Sequence, residues 1–292
     1  MRDTSTRHFR RLLPCPYFLL TLTVPAGLRD FVRRHQRIAY AAMFEASSAA
    51  IKTLAAEPKY VGSKRCGFFG VLHTWGRTLE YHPHIHYVVP GGGLSADGSR
   101  WLPSRADFFV PVKALSILFR AKFRDALRRA GVLAKVDAAV WTQQWVVHSQ
   151  AVGDGRGSLK YLAPYVFRVA ISDRRIVSCE DGQVTFSYRK SGSNRWRTMT
   201  VDATEFIRRF LQHVLPSGFP KVRHYGFFSP NSRQSIEAVR WLITLFYELV
   251  HRLPAESPNE SADLPPIRCP TCGGQMRLLW FLAPPLAPFD TS

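Results

Sequence analysis

Acidic residues are scarce in this chain. Its 292 residues include 21 Asp and Glu against 40 Lys and Arg, a formal charge of +19. The excess runs along the whole chain rather than in a tail, which points to a polyanionic partner, nucleic acid before membrane. Long apolar runs are missing too. No stretch of 18 apolar residues occurs, and the most apolar late segment, Trp241 to Leu253, is broken by Glu248, His251 and Arg252, so no membrane span is expected. Met1 to Arg11 is polar with no apolar signal core, which predicts a cytoplasmic, nucleoid-associated protein. Cysteine is sparse: five residues, odd in number and scattered, argue for thiols or a metal rather than a disulfide framework. There is no internal repeat. What remains is 46% apolar, enough for one large core or two small domains.

The patterning predicts both element types. Tyr17 to Val24 is a continuous apolar, β-branched run stopped by Pro25, a strand buried on both faces. Leu28 to about Ala55 repeats apolar and small residues at helical spacing and reads as one long helix. Cys66 to Trp75 is a second strand, and after a turn at Gly76 the segment His82 to Pro90 returns antiparallel to it. Pro111 opens a helix that ends at Gly131, and Trp145 to Val152 is a further strand. Strands follow at Arg168–Ser172, Ile176–Glu180 and Val184–Arg189, the last two joined through Asp181-Gly182. Asp202 with Glu205 has the spacing of a capped helix start, Lys221–Phe228 reads as a last strand, and Asn231 to His251 as an amphipathic helix. Without a regular βαβ alternation the fold class is α+β, a mainly antiparallel central sheet flanked by helices with a C-terminal helical and hairpin extension. The expected division is residues 1–175, 176–253 and a Pro-rich linker with a cysteine tail over 254–292.

The chemistry centres on His82-Pro83-His84-Ile85-His86. Side chains two apart on a strand share a face, so His84 and His86 point the same way with imidazole nitrogens free for one divalent cation, Mg²⁺ or Mn²⁺. Two ligands are too few. His73 on the neighbouring strand is the candidate third, with His82, Glu80 and Gln143 as alternatives. Further on, Lys160-Tyr161-Leu162-Ala163-Pro164-Tyr165 sets two phenols at i and i+4 after a glycine-rich turn. A phosphodiester repels nucleophiles, so a cation to neutralise it and a tyrosine to attack it make a consistent set. A phosphotyrosine keeps the energy of the broken bond, which suits strand transfer better than hydrolysis. Lys160 and Arg168 are the basic residues nearest the tyrosines and are expected to contact DNA phosphates.

With Leu12-Leu13-Pro14, His73-Thr74-Trp75-Gly76, His84-Ile85-His86 followed by Pro90-Gly91-Gly92-Gly93, Leu159 to Tyr165, and His224-Tyr225-Gly226-Phe227 in this order, the chain resembles the rolling-circle insertion-sequence transposases of the IS-ninety-one group. These are two-tyrosine members of the HUH endonuclease superfamily. The resemblance covers most of residues 12–250. It implies metal ligation by His84 and His86, nucleophilic roles for Tyr161 and Tyr165, and metal-assisted cleavage of single-stranded DNA at transposon ends and target through a 5′-phosphotyrosine. Related readings on the same fold are a replication initiator or relaxase; a decayed, non-catalytic DNA-binding transposase is the reading from another class. The resemblance departs at both ends. No Cys-x-x-Cys precedes Cys15, as in a truncated copy, whereas Cys269-Pro-Thr-Cys272 has the spacing of half a zinc site, which Cys66, Cys179 or His251 would have to complete, or which pairs with another chain, or which is a vestigial loop.

Overall fold

The computed structural model describes residues 12–156, 170–189 and 195–252. The five-stranded sheet at its centre has every neighbouring pair antiparallel. It contains β1 (Tyr17–Thr23), β2 (Phe68–Trp75), β3 (Tyr81–Pro90), β6 (Val147–Ala151) and β10 (Val222–Tyr225), in the order β10-β2-β3-β1-β6. β4 (Gly92–Leu94) and β5 (Trp101–Pro103) form a short hairpin, and β7 (Ile176–Glu180), β8 (Gln183–Arg189) and β9 (Trp196–Asp202) a separate three-stranded meander. The helices are α1 (Arg29–Arg34), α2 (Gln36–Ala55), α3 (Val112–Arg129), α4 (Ala203–Leu211) and α5 (Ile236–Arg252). The fold is α+β, as the patterning predicts.

One face of the central sheet makes the main core. Leu20 and Leu22 of β1, Leu72 of β2, and Ile85, Tyr87 and Val89 of β3 pack on Tyr40, Met43, Phe44, Ile51 and Leu54 of α2 and on Leu115, Phe119, Phe123 and Leu127 of α3. Two buried hydroxyl pairs lock α2 to the histidine strand: Tyr40 and Tyr81 share a 2.6 Å bond, as do Ser47 and Tyr87. Buried hydroxyls paired this way avoid an unmet desolvation cost and fix one register. Gly70, opposite Tyr87, leaves room for its ring; a Cβ there would lie 2.4 Å from it.

The opposite face is divided along its length. At one end Phe69, Val71 and Val88 lie under Ile236, Val239 and Ile243 of α5. At the other end the same rows continue as His73 on β2 and as His86 and His84 on β3, by the two-residue alternation of strands. Beyond them Trp75 and Leu79 pack against Ala170, Ile171 and Phe186 at the meander's inner face.

Several expected elements differ. The long helix is two, broken at His35 (φ −123°, ψ 41°), where no Gly or Pro marks the break and the periodicity runs straight through. Asp202 does not cap α4 with its side chain; its carboxylate accepts from Gln183 Nε2 across the meander, and Glu205 instead pairs with Arg208 and Arg209. Of the strand expected over 168–172, the described part, Ala170–Ser172, joins no sheet. The last strand stops at Tyr225 because Gly226 turns to φ +56° with its Cα facing the Cys66 carbonyl, where a Cβ would sit 1.8 Å from that oxygen. Gly226→Ala is therefore expected to destabilise the fold by about 3 kcal/mol or more, since strained backbone and a backbone clash add. Urea unfolding checks this: a midpoint within error of wild type would refute the packing at the β10–β2 junction.

Candidate metal centre

Antiparallel pairing of β2 and β3 sets His73 directly opposite His84, and Val71 opposite His86. Three imidazoles thus converge: ring centroids are 5.3 Å apart for His73–His84, 4.6 Å for His73–His86 and 4.8 Å for His84–His86. One nitrogen from each lies within 4.8 Å of the others. Nitrogens on a shared ion at roughly 2.1 Å each would be about 3 to 3.5 Å apart, a closure that small χ rotations supply. His73 and His86 are buried and His84 partly so.

Hydrogen bonds set the ring orientations. His84 Nδ1 donates to the His82 carbonyl at 2.6 Å, which leaves Nε2 with a lone pair for a metal. His86 Nδ1 shares a 2.8 Å bond with Thr21 Oγ1 on β1. His82 behaves differently. Its Nδ1 accepts from Arg29 Nη2 at 2.6 Å, so Nε2 carries the proton and neither nitrogen is left to coordinate. Glu80 is occupied by the backbone N–H and hydroxyl of Thr78, and Gln143 is exposed far along the chain. The three-histidine cluster therefore takes His73 as its third member, and His82, Glu80 and Gln143 stand outside it.

Burial holds all three imidazoles neutral. It lowers the His84 pKa to about 4 and those of His73 and His86 well below the ordinary value, and the neighbouring histidines push the same way. Neutral nitrogen donors without a bound proton are the form a metal requires, so the cluster can hold a divalent cation. The linkage has a definite sign. Between about pH 6.5 and 4 the unfolded chain binds protons at His84 that the folded chain does not, so stability falls as pH falls through that window. The metal-free protein is expected to lose more thermal stability between pH 7 and 5 than His84→Gln does. Equal losses would show that the imidazole is solvated.

A cation flanks the centre that sequence reasoning missed. Lys221, just before β10, lies 4.8 Å over the Trp75 ring, and that indole stacks on His73 at 5.4 Å and 10°. Burial brings its pKa down to about 8. A lysine so far along the chain gives no local signal, because only the pairing of β10 with β2 brings it there. His148 pairs with Thr21 on the row that holds His86, exposed at the edge strand, and stands outside the histidine cluster. Of the other expected site residues, Lys160, Tyr161, Tyr165, Arg168, Cys269 and Cys272 lie outside the described residues. Cys66 is buried and Cys179 exposed. No described helix is long and apolar enough to cross a membrane.

The comparisons agree in direction. Residues 67–235 match the family described as "Putative transposase". Among curated proteins, "Putative transposase y4qJ" of Sinorhizobium fredii is 38% identical over 243 residues, covering 76% of this chain and 61% of its own. "Transposase for insertion sequence element IS801" of Pseudomonas savastanoi pv. phaseolicola is 26% identical over 302 residues, covering 91% of this chain and 68% of its own. The chain thus spans about two thirds of the length of these relatives. No solved structure matches. With β2, β3, the histidine cluster and the meander all inside the matched span, the chain belongs to the "Putative transposase" family.

Proposed function

We propose that the chain is a transposase that nicks and transfers single-stranded DNA, with tyrosine as nucleophile and a divalent cation at His73, His84 and His86. The observation that carries this reading is the convergence of three neutral imidazoles on one sheet face in a member of a transposase family. A bound cation would act as a Lewis acid on a non-bridging oxygen of the scissile phosphate. The donor set is all nitrogen, which suits transition-metal ions better than oxygen-demanding Mg²⁺, so of the two cations expected Mn²⁺ is favoured.

The remaining steps belong to the chain. Thr21 and the His82 carbonyl orient the imidazoles, and the Lys221 ammonium adds positive potential beside His73 where a phosphate would come. The Tyr161 phenol loses its proton and attacks phosphorus; the 3′-oxygen leaves as a hydroxyl, and a 5′-phosphotyrosine forms. Attack by another strand's 3′-hydroxyl then rejoins DNA and restores the phenol. Tyr165 would serve the second strand, and Lys160 and Arg168 would hold flanking phosphates. Base pairing keeps a phosphodiester out of line for such attack, so single strands are the substrate.

The decisive experiment incubates the protein with single-stranded element ends and Mn²⁺ and looks for a covalent protein–DNA adduct on a denaturing gel. A product with free 5′-phosphate and no adduct at any time would mean hydrolysis and end the tyrosine mechanism. Binding without cleavage in any metal would favour the non-catalytic reading.

A further inference from the structure

The meander β7–β9 has an inner face spent on packing and an outer face with a different character. Phe186, Ile176, Met199 and Val201 face Trp75 and Leu79. By strand alternation the other side carries Thr185, Ser187 and Arg189 of β8, paired with Thr200, Thr198 and Trp196 of β9. It is a row of hydroxyls ending in an indole and a guanidinium. Trp196 is 56% exposed, and the Arg189 guanidinium sits 4.6 Å over its ring. One ring face is thereby covered by a cation, and more than half of the residue is exposed. Leaving so large an apolar ring in water is costly, and a single such ring beside cations is the arrangement that stacks an unpaired base.

Charge is polarised along the meander. Its far end holds Glu180, Asp181 and Asp202, while the end with Trp196 holds Arg174, Arg175, Arg189 and Arg197 against one carboxylate, Asp173. That basic end is stitched to the turn between β2 and β3. Arg77 Nη1 donates to the Arg189 carbonyl at 3.1 Å, and Arg175 donates to the Arg77 and Ser187 carbonyls at 3.0 and 2.8 Å. Backbone carbonyls do not neutralise a guanidinium. Among the described residues no carboxylate lies within ion-pair distance of Arg77, Arg189 or Arg197. The turn that Arg77 occupies opens β3, and His84 follows Tyr81 by three residues, about 10 Å along the strand. Trp75, at the start of the same turn, stacks on His73.

We infer that the outer face of β7–β9 at its Trp196–Arg189 end is a docking surface for the single DNA strand that continues from the metal centre. A base stacks on the exposed ring of Trp196, and Arg77 and Arg189 take the flanking phosphates. A paired base, stacked on both sides, has no face to offer, so the surface selects unpaired DNA. The inference rests on the single-strand reading above and adds where the strand runs.

Fluorescence anisotropy of the full chain tests it with two labelled probes, a dT oligonucleotide of about 12 nucleotides and an abasic strand of equal length, a span within usual single-strand site sizes. Wild type is expected to prefer the base-bearing strand. Trp196→Ala, and Trp196→Thr as a variant that keeps strand propensity, are expected to weaken dT binding roughly tenfold while abasic binding stays put. Arg189→Gln is expected to lower the salt slope by about one unit or less for both probes. Unchanged dT affinity in a folded Trp196 variant overturns the inference, and so does an equal loss on both probes. Adduct formation with Mn²⁺ is measured alongside in wild type. If it is absent while the Trp196-dependent preference holds, the catalytic reading fails and the surface stands; if it is present while Trp196 is irrelevant, the surface alone fails.

Discussion

Alanine at His84 or His86 is expected to cut nicking of single-stranded DNA by about a thousandfold or more and to leave DNA binding within roughly twofold of wild type. The first figure follows from the several kcal/mol that a Lewis acid supplies to a phosphoryl transition state, about tenfold in rate for each 1.4 kcal/mol. The second follows from the charge: the +19 is spread along the chain, and neutral imidazoles contribute nothing to counterion release. The two histidines are not equivalent in their surroundings. His86 is held by Thr21 from β1, whereas His84 is held by the backbone of its own strand. Thr21→Val should therefore impair metal affinity by about 10- to 100-fold, as loss of an orienting partner does, without removing a ligand. Excess Mn²⁺ should restore nicking to Thr21→Val and not to the double histidine variant. Near-normal nicking by the double variant at any metal concentration would end the metal hypothesis.

Much of this site was legible because it is local. His84 and His86 follow from strand alternation alone, and His73 needs only that β2 and β3 be a hairpin, which Gly76 between two apolar runs makes explicit. The hairpin makes His73 the candidate third member, but why the alternatives fall away was not legible. Glu80, His82 and His73 all lie within a few residues of the turn, and what separates them is a guanidinium from α1 and a hydroxyl from Thr78 that claim two of the three. The sheet order was hidden for a similar reason. β10 comes after the meander and α4, yet it closes the edge beside β2 and carries Lys221 to Trp75, a non-local pairing that no short-range pattern announces. The break at His35 shows the limit of periodicity. Apolar spacing continues across it, so the sequence signal is that of one helix while the backbone at one residue leaves helical geometry. The motif around Gly226 illustrates the converse. Within His224-Tyr225-Gly226-Phe227 the glycine is explained by a backbone contact with Cys66 at the sheet edge.

Tyr161→Phe should abolish the covalent adduct, lowering its rate of formation by roughly 10⁴-fold or more, as removal of a nucleophile does. The substitution keeps the ring and deletes only the attacking oxygen, so packing and thermal stability should change little. That pairing of outcomes separates catalysis from structure: a residue needed for the fold would lose stability, and one needed for binding would lose affinity for uncleaved strand. Tyr165→Phe is expected to keep the first adduct and to lose the joined product, since the second phenol would take the next strand. The prediction depends on order as well as chemistry. Should Tyr165→Phe alone eliminate the adduct, the assignment of the first nucleophile reverses while the covalent route stands. If neither single change matters but the double variant is dead, the two phenols substitute for one another. If the double variant still forms adduct, the nucleophile is another group. Peptide mass spectrometry shows whether the adduct lies on the tryptic fragment from Tyr161 to Arg168, and because that fragment carries both phenols, fragment-ion sequencing within it is needed to tell Tyr161 from Tyr165.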